Sequence, residues 1–457
     1  MANDRHPFEV VMNYISIYSN LKNKGSEAIL NTANDCFVPE SFVKLTKKEI
    51  EDLGELSYGE RIAYFLHLFF PEFNYNFLLE TCNKACSNFP LGDSAQLVEI
   101  NEDEFFLELY HGIGLNANDV WAGILPALVK EAASISGIEN LRFIIVGTEK
   151  TASYLADDYT KKNACFLRDR KTATEALNEL IKISGKDAQI IETEKITDEK
   201  LMELKSTLSD NCDVTPVIID DTNIATVIIK TALIVSAYSD LVAAEAIKNG
   251  DKLNFAIPVQ CFSDITSCIY AKMLGVPIEK IICAVDGNSN AEDLLKTGNC
   301  YNAYSKNAAL PLLINELTPD VNAFIFEITN RSTSRTQKIF DNAKNKAYSI
   351  DGYTFLSNSF FVSSSSKNDI YDFISEYFEE YGYLMDPKTA SAVCSAADYS
   401  NATGDMTPVV YLSPSSPYIY PAEVYYAITE KKCTNLSLAA KKLFEESGMD
   451  IPDFLTK

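Results

Sequence analysis

The spacing of apolar positions changes along the chain. From Glu139 onward, short apolar runs of strand length alternate with longer runs of helical period. That alternation predicts a largely parallel sheet with helices on both faces. Leu141 to Val146, Ala188 to Glu192, Val214 to Ile219, Phe255 to Pro258, Lys280 to Val285 and Val409 to Leu412 read as strands. Helices are expected near Thr151 to Asp158, from Asp264 to Leu274, from Asn368 to Tyr381, and over Val424 to Ile428 and Leu436 to Phe444. Gly275-Val276-Pro277 breaks the pattern, and Ser363 to Ser366 reads as a loop.

Residues 8 to 90 read as a mainly helical N-terminal region, with Phe37-Val38-Pro39-Glu40 in a turn-like segment. Ser57 and Glu60 have the spacing of a capping box. They open an apolar helix through Ile62, Phe65, Leu66 and Phe69 that Pro71 stops. The Asn368 to Tyr381 helix carries an aromatic stripe, the mark of a packing face rather than a ligand box. No internal repeat is present.

Composition narrows the partners. The chain has 457 residues, enough for two or three domains, and a net charge of −24. So acidic a surface predicts neither nucleic acid nor an anionic membrane as a partner, since phosphate recognition needs a basic footprint. The most apolar run, Ile224 to Val242, contains Lys230 and Asp240 and is expected to be a buried helix rather than a membrane span. The first residues show no basic segment leading into an apolar core, so no signal peptide is expected. The eleven cysteines form no CxxC pair, and the Cys82/Cys86 spacing lacks the partners of a zinc set. A cytoplasmic protein with reduced thiols is the expectation.

Candidate chemistry centres on Phe106 to Val120. An alternating run ends in a tight turn at His111-Gly112-Ile113-Gly114, and a helix begins near Asn118-Asp119. Free backbone N–H groups point outward at such a helix start, which favours a site there. The frame Leu107, Glu108, Leu109, His111, Gly112, Leu115, Asp119 and Val120 resembles the threonine synthase segment Leu-Glu-Leu-Phe-His-Gly-Pro-Thr-Leu-Ala-Phe-Lys-Asp-Val. Further matches extend over nearly the whole chain. They include Tyr14-Ile15-Ser16, Lys272 with Gly275, Pro277, Ile278 and Lys280, Lys296-Thr297-Gly298, and Tyr381-Gly382-Tyr383-Leu384 followed by Asp386-Pro387 and Thr389-Ala390.

The resemblance implies an α/β architecture, the pyridoxal-phosphate fold type II (tryptophan synthase beta-like). In that fold a doubly wound, largely parallel sheet stands with a smaller βαβ domain. The implied boundaries are a threonine synthase-like N-terminal domain over 1–92, a pyridoxal-phosphate-enzyme-like α/β region over 93–380 with its smaller domain at about 134–222, and a C-terminal part, 381–457, completing the large domain. The implied activity is conversion of O-phosphohomoserine and water to threonine and phosphate, by a pyridoxal-phosphate-dependent carbon-oxygen lyase of threonine biosynthesis.

The residues that would carry this chemistry depart from the pattern. In the family a lysine forms a Schiff base with pyridoxal phosphate, and here Asn118 stands in its place. An amide is neither basic nor nucleophilic. Lys130 lies about 18 Å further along the same helix, too far to substitute, and Lys150 belongs to another loop. The substrate loop is reduced to Gly147-Thr148-Glu149-Lys150-Thr151-Ala152. The phosphate cup retains Pro258, Phe262 and Asp264 but loses both glycines, leaving Gln260 and Ser263 where backbone should wrap an anion. Asn223-Ile224-Ala225-Thr226 lacks the family's arginine. After Ser413, Pro414 replaces the hydroxyl that faces the pyridine nitrogen, and Ile419 replaces a lysine.

The expectation is a pseudoenzyme with a remnant cleft of His111, Asn118, Asp119, Phe262, Ser263, Asp264 and Ser413. It would have no catalytic residue, no metal and no covalently bound pyridoxal phosphate. It would serve as a binding or assembly partner, with a small-molecule ligand in the cleft or a protein partner or homo-oligomer. An active threonine synthase and a small-molecule sensor using the same cleft are the alternatives.

Overall fold

The computed structural model describes residues 12–19, 21–31, 35–87, 89–146, 164–169, 189–193, 198–211, 214–287, 289–301, 320–343, 347–350 and 358–451. By internal contacts the chain divides into two compact units, each assembled from separate stretches. One comprises Met1–Lys44, Leu56–Asn88 and Asn118–Leu233; the other comprises Leu45–Glu55, Phe89–Ala117 and Ile234–Lys457.

The chain opens with β1 (Tyr14–Ser16), β2 (Lys22–Asn23), α1 (Gly25–Leu30) and β3 (Phe37–Pro39). β1 pairs antiparallel with both β2 and β3, with Ile15 opposite Val38. The expected turn at Phe37-Val38-Pro39 is therefore a strand, part of a small three-stranded sheet within a region that is otherwise mainly helical, as expected. Aromatic Phe37 and β-branched Val38 suit a buried pleat, and all three strand residues are buried. Next come α2 (Lys47–Gly54), α3 (Tyr58–Phe69) and α4 (Tyr75–Cys86). α3 starts on the predicted capping box: the Glu60 N–H donates to Ser57 Oγ at 3.4 Å, and the Ser57 N–H to Glu60 Oε2 at 2.9 Å. Ile62, Phe65, Leu66 and Phe69 are buried on its apolar face.

β4 (Gln96–Asn101) and β5 (Glu104–Glu108) form a hairpin, and α5 (Asn118–Ile135) starts at the predicted residue. β6 (Leu141–Val146), β7 (Ala164–Asp169), β8 (Gln189–Thr193), α6 (Asp198–Asn211) and β9 (Thr215–Ile219) follow. Their strands form an all-parallel sheet in the order β8-β7-β6-β9. The sequence places β6, β8 and β9 but does not reveal β7 or α6. The predicted helix at Thr151 to Asp158 and the loop Gly147 to Ala152 lie outside the described residues.

α7 (Ile224–Ala243) is the apolar run, and 89% of its most apolar window is buried, as in a core helix. Beyond it come β10 (Leu253–Pro258), α8 (Phe262–Met273), β11 (Ile278–Ala284), α9 (Asn290–Thr297), β12 (Asn299–Tyr301), α10 (Val321–Ile328), α11 (Thr333–Ala343) and β13 (Ala347–Ser349). The chain ends with β14 (Phe360–Ser363), α12 (Lys367–Tyr381), α13 (Pro387–Thr403), β15 (Val409–Ser413), α14 (Pro421–Thr429) and α15 (Leu436–Ser447).

The larger sheet runs β14-β11-β10-β15-β5-β4 and is parallel except for the β4–β5 pair. Every residue of central β10 is buried, the signature of a strand covered on both faces. α13 packs on β10, β11 and β15. The aromatic stripe of α12 buries Ile370, Tyr371, Ile374 and Tyr377, as its spacing predicts. Ser363, expected in a loop, instead closes β14, where it pairs with Ala284. The loop begins after it, and Ser366 caps α12 by accepting the Asp369 N–H at 3.3 Å.

Candidate functional site

In the unit that holds the larger sheet, polar side chains gather where β5, β10 and β15 end. The C-terminal ends of parallel strands are where such folds collect their ligands. Glu108, the last residue of β5, is buried. Its Oε1 accepts the hydroxyls of Tyr110 at 2.7 Å and Tyr383 at 2.9 Å, and its Oε2 lies 2.9 Å from His111 Nε2. Burial, reinforced by the Glu108 charge, pushes both tyrosine hydroxyls well above their ordinary range. They stay protonated and act as donors.

The strand pairing continues past β5. The Leu109 N–H donates to the Ser413 carbonyl at 2.9 Å, and the Ala117 N–H to that of Pro414 at 2.8 Å. The tight turn falls between them, where the Leu115 N–H reaches the Gly112 carbonyl at 3.0 Å. Buried Ser413 lies 2.9 Å, oxygen to oxygen, from the Thr389 hydroxyl. Thr389 in turn donates its N–H at 2.8 Å to Asp386 Oδ1, which caps α13. Burial raises the Asp386 carboxyl to about 6.

Lys388, between those two, links the strand ends to the start of α8. Its amine hydrogen-bonds the Gln260 side-chain oxygen and lies 5.8 Å from the centre of the Tyr420 ring. Burial pushes the amine below its ordinary value, while Asp386, Asp264 and Cys261 pull it back. A His111–Glu108–Tyr383 group, a Ser413–Thr389–Asp386 group and the Lys388–Gln260 contact thus adjoin one another in this unit.

The turn into α8 is held by carboxylates. Asp264 Oδ2 accepts the N–H groups of Gln260 and Cys261, both at 3.3 Å. Cys261 Sγ and Ser263 Oγ are 2.8 Å apart. The Ser263 N–H donates to Asp320 Oδ2 at 2.5 Å. Phe262 packs on Phe324, with ring centres 5.0 Å apart.

His111, Phe262, Ser263, Asp264 and Ser413 therefore belong to one unit, around the ends of its strands. Asn118 and Asp119 belong to the other, in the first turn of α5. There Asn118 Oδ1 accepts the Trp121 indole N–H at 3.1 Å, and Asp119 is fully buried. Sequence reasoning missed Lys388 and Asp320. Lys388 occupies the variable position inside the otherwise matching Asp386-Pro387-Lys388-Thr389-Ala390 run. Asp320 carries no local signal, because its partner Ser263 is 57 residues away in the chain.

No family model matches the chain. It is 23% identical over 411 residues to human threonine synthase-like 1, an alignment covering 80% of this chain and 53% of that protein. It is 24% identical over 201 residues to threonine synthase of Corynebacterium glutamicum, covering 42% and 41%. The chain spans about half or less of the length of the curated relatives it matches. The crystal structure of yeast threonine synthase superposes with a TM-score of 0.79 at 18% identity, covering 98% of this chain and 94% of that one. The pyridoxal-phosphate-bound threonine synthase of Brucella melitensis gives 0.78 at 19% identity, covering 94% of each. Sequence relatives and fold agree: the chain is similar in sequence to threonine synthase-like 1 and to threonine synthases, and it shares with the threonine synthases the pyridoxal-phosphate fold type II.

Proposed function

We propose that this chain is a non-catalytic member of its family, a cytoplasmic protein that has kept the scaffold and works by binding a small molecule or a protein partner. The observation that carries the proposal is Asn118, which opens α5 where the family pattern has the Schiff-base lysine. Its side chain is an amide whose oxygen is engaged by Trp121. An aldehyde cofactor needs a positioned amine to be held covalently.

The other groups present do not suit pyridoxal phosphate either. At α8 the Ser263 N–H already serves Asp320, and the side chains of Gln260 and Ser263 stand where the family has glycine. Lys388 supplies an amine, but that amine is already hydrogen-bonded to the Gln260 side chain and lies over the Tyr420 ring.

The test is spectroscopic. Purified protein mixed with pyridoxal phosphate should develop no Schiff-base absorbance band, and borohydride should trap no stoichiometric adduct on any single lysine. A stoichiometric adduct, at Lys388 or elsewhere, would overturn the proposal and identify the amine responsible.

A further inference from the structure

The N-terminus of α8 is liganded from within the chain. A helix of twelve residues presents unsatisfied N–H groups and a partial positive charge at its start, a combination that attracts anions. Here the Ser263 N–H is taken by Asp320 Oδ2 at 2.5 Å, and a carboxylate is the stronger kind of acceptor for a backbone N–H. Asp320 is only 6% exposed, and Ser263 only 1%. Asp320 immediately precedes α10, the usual place for a capping side chain, yet it makes no side-chain cap bond to that helix. Its carboxylate serves the start of a different helix.

Two further contacts hold α10 in place to present it. Phe324 packs on Phe262 in the first turn of α8, and the Tyr270 hydroxyl of α8 donates to Glu327 Oε1 of α10 at 3.2 Å. Glu327 is itself fixed by Arg331 Nη1, which lies 2.6 Å from one carboxylate oxygen and 2.8 Å from the other.

We propose that Asp320 is a resident anion: its carboxylate fills the α8 N-terminus and keeps phosphate groups out. A phosphate entering there would have to displace the carboxylate from Ser263 or share the position with it, and two negative charges within contact distance repel. The inference deepens the non-catalytic proposal but is tested apart from it. Inorganic phosphate carries no aldehyde and so cannot report on the missing amine at position 118.

The experiment compares wild-type protein with Asp320→Asn and Asp320→Ser, each checked for folding by circular dichroism. Inorganic phosphate is titrated calorimetrically, and sodium chloride of equal ionic strength is the control for a chain of net charge −24. Removing the resident charge should tighten phosphate binding by about tenfold or more over wild type. Thermal stability of the variants should also become phosphate-dependent, while that of wild type does not. Folded variants with unchanged phosphate affinity would overturn the inference, as would a wild-type protein that already binds phosphate as tightly as they do. If neither substitution folds, amide exchange in wild type decides. The Ser263 N–H should be protected and indifferent to added phosphate, and an unprotected or phosphate-sensitive amide overturns the inference.

Discussion

Asp386 shows how a single buried group reports on its site. It is fully buried, and its carboxyl is raised to about 6 from an ordinary 3.8. Between those values the folded protein holds more proton than the unfolded chain, so the stability this group contributes is lost as pH rises from about 4 to about 6. Asp386→Asn keeps a good helix cap but cannot ionise. Its stability relative to wild type should therefore improve by roughly 2–3 kcal/mol between pH 4 and pH 7, read from urea unfolding across a pH series. A difference that stays flat with pH would mean that the wild-type carboxyl is not raised. Asn118→Lys tests the other end of the chemistry. It should not restore phosphate release from O-phosphohomoserine, because groups that act as a unit do not recover activity one at a time. Turnover within a few-fold of an ordinary threonine synthase would show the remaining groups to be sufficient. What was legible at this scale depended on local pattern. His111, Ser263, Asp264 and Ser413 were singled out because they sit in recognisable frames. Asp320 was not, because its partner lies across a turn from another helix, a tertiary fact that no local spacing encodes.

Single elements were most legible where their end signals are local. α3 begins at Ser57 because serine and Glu60 satisfy each other's orphan backbone groups, and the sequence alone predicts it. Ser57→Ala should cost about 1 kcal/mol, seen as a lower urea midpoint at unchanged slope. An unchanged midpoint would mean that the cap adds nothing to the packed apolar face. The Ser57 hydroxyl at 2.7 Å and the Ser57 N–H at 2.9 Å both donate to Glu60 Oε2 and lower its carboxyl below the ordinary value. Their contribution is present above the carboxylate range and fades as pH falls through it. Elements whose strand character comes from pairing were harder to read. β3 is three residues ending in proline, and β14 ends in a serine run; each is a strand because a neighbour's edge is waiting for it. Helices with wide apolar faces, such as α7 and α12, were readable because buried periodicity persists over several turns.

For the whole molecule, the governing fact is that the larger sheet is assembled from distant parts of the chain. β5 and β15 pair in parallel with Glu104 opposite Val409 and Glu108 opposite Ser413, and that pairing sets the strand ends where Glu108, Ser413 and Thr389 meet. Strand order of this kind is not written in local periodicity; the family resemblance supplied the architecture in its place. The consequence can be tested by cutting the chain. Residues 234–457 hold β10, β11, β14 and β15 but lack β4 and β5. Expressed alone, this fragment would leave one edge of β15 open along Val409–Ser413, a strand whose residues are all buried in the intact sheet. An unpaired, flat apolar edge is a template for aggregation. The fragment should therefore be recovered mainly as insoluble or high-molecular-weight material by size-exclusion chromatography. Joining residues 45–55 and 89–117 ahead of it through long flexible linkers should raise the soluble monomeric fraction, because β5 can then cover the edge. The unlinked fragment emerging as a soluble monomer with a cooperative melt would show that β10, β11, β14 and β15 hold their structure without the β5 edge.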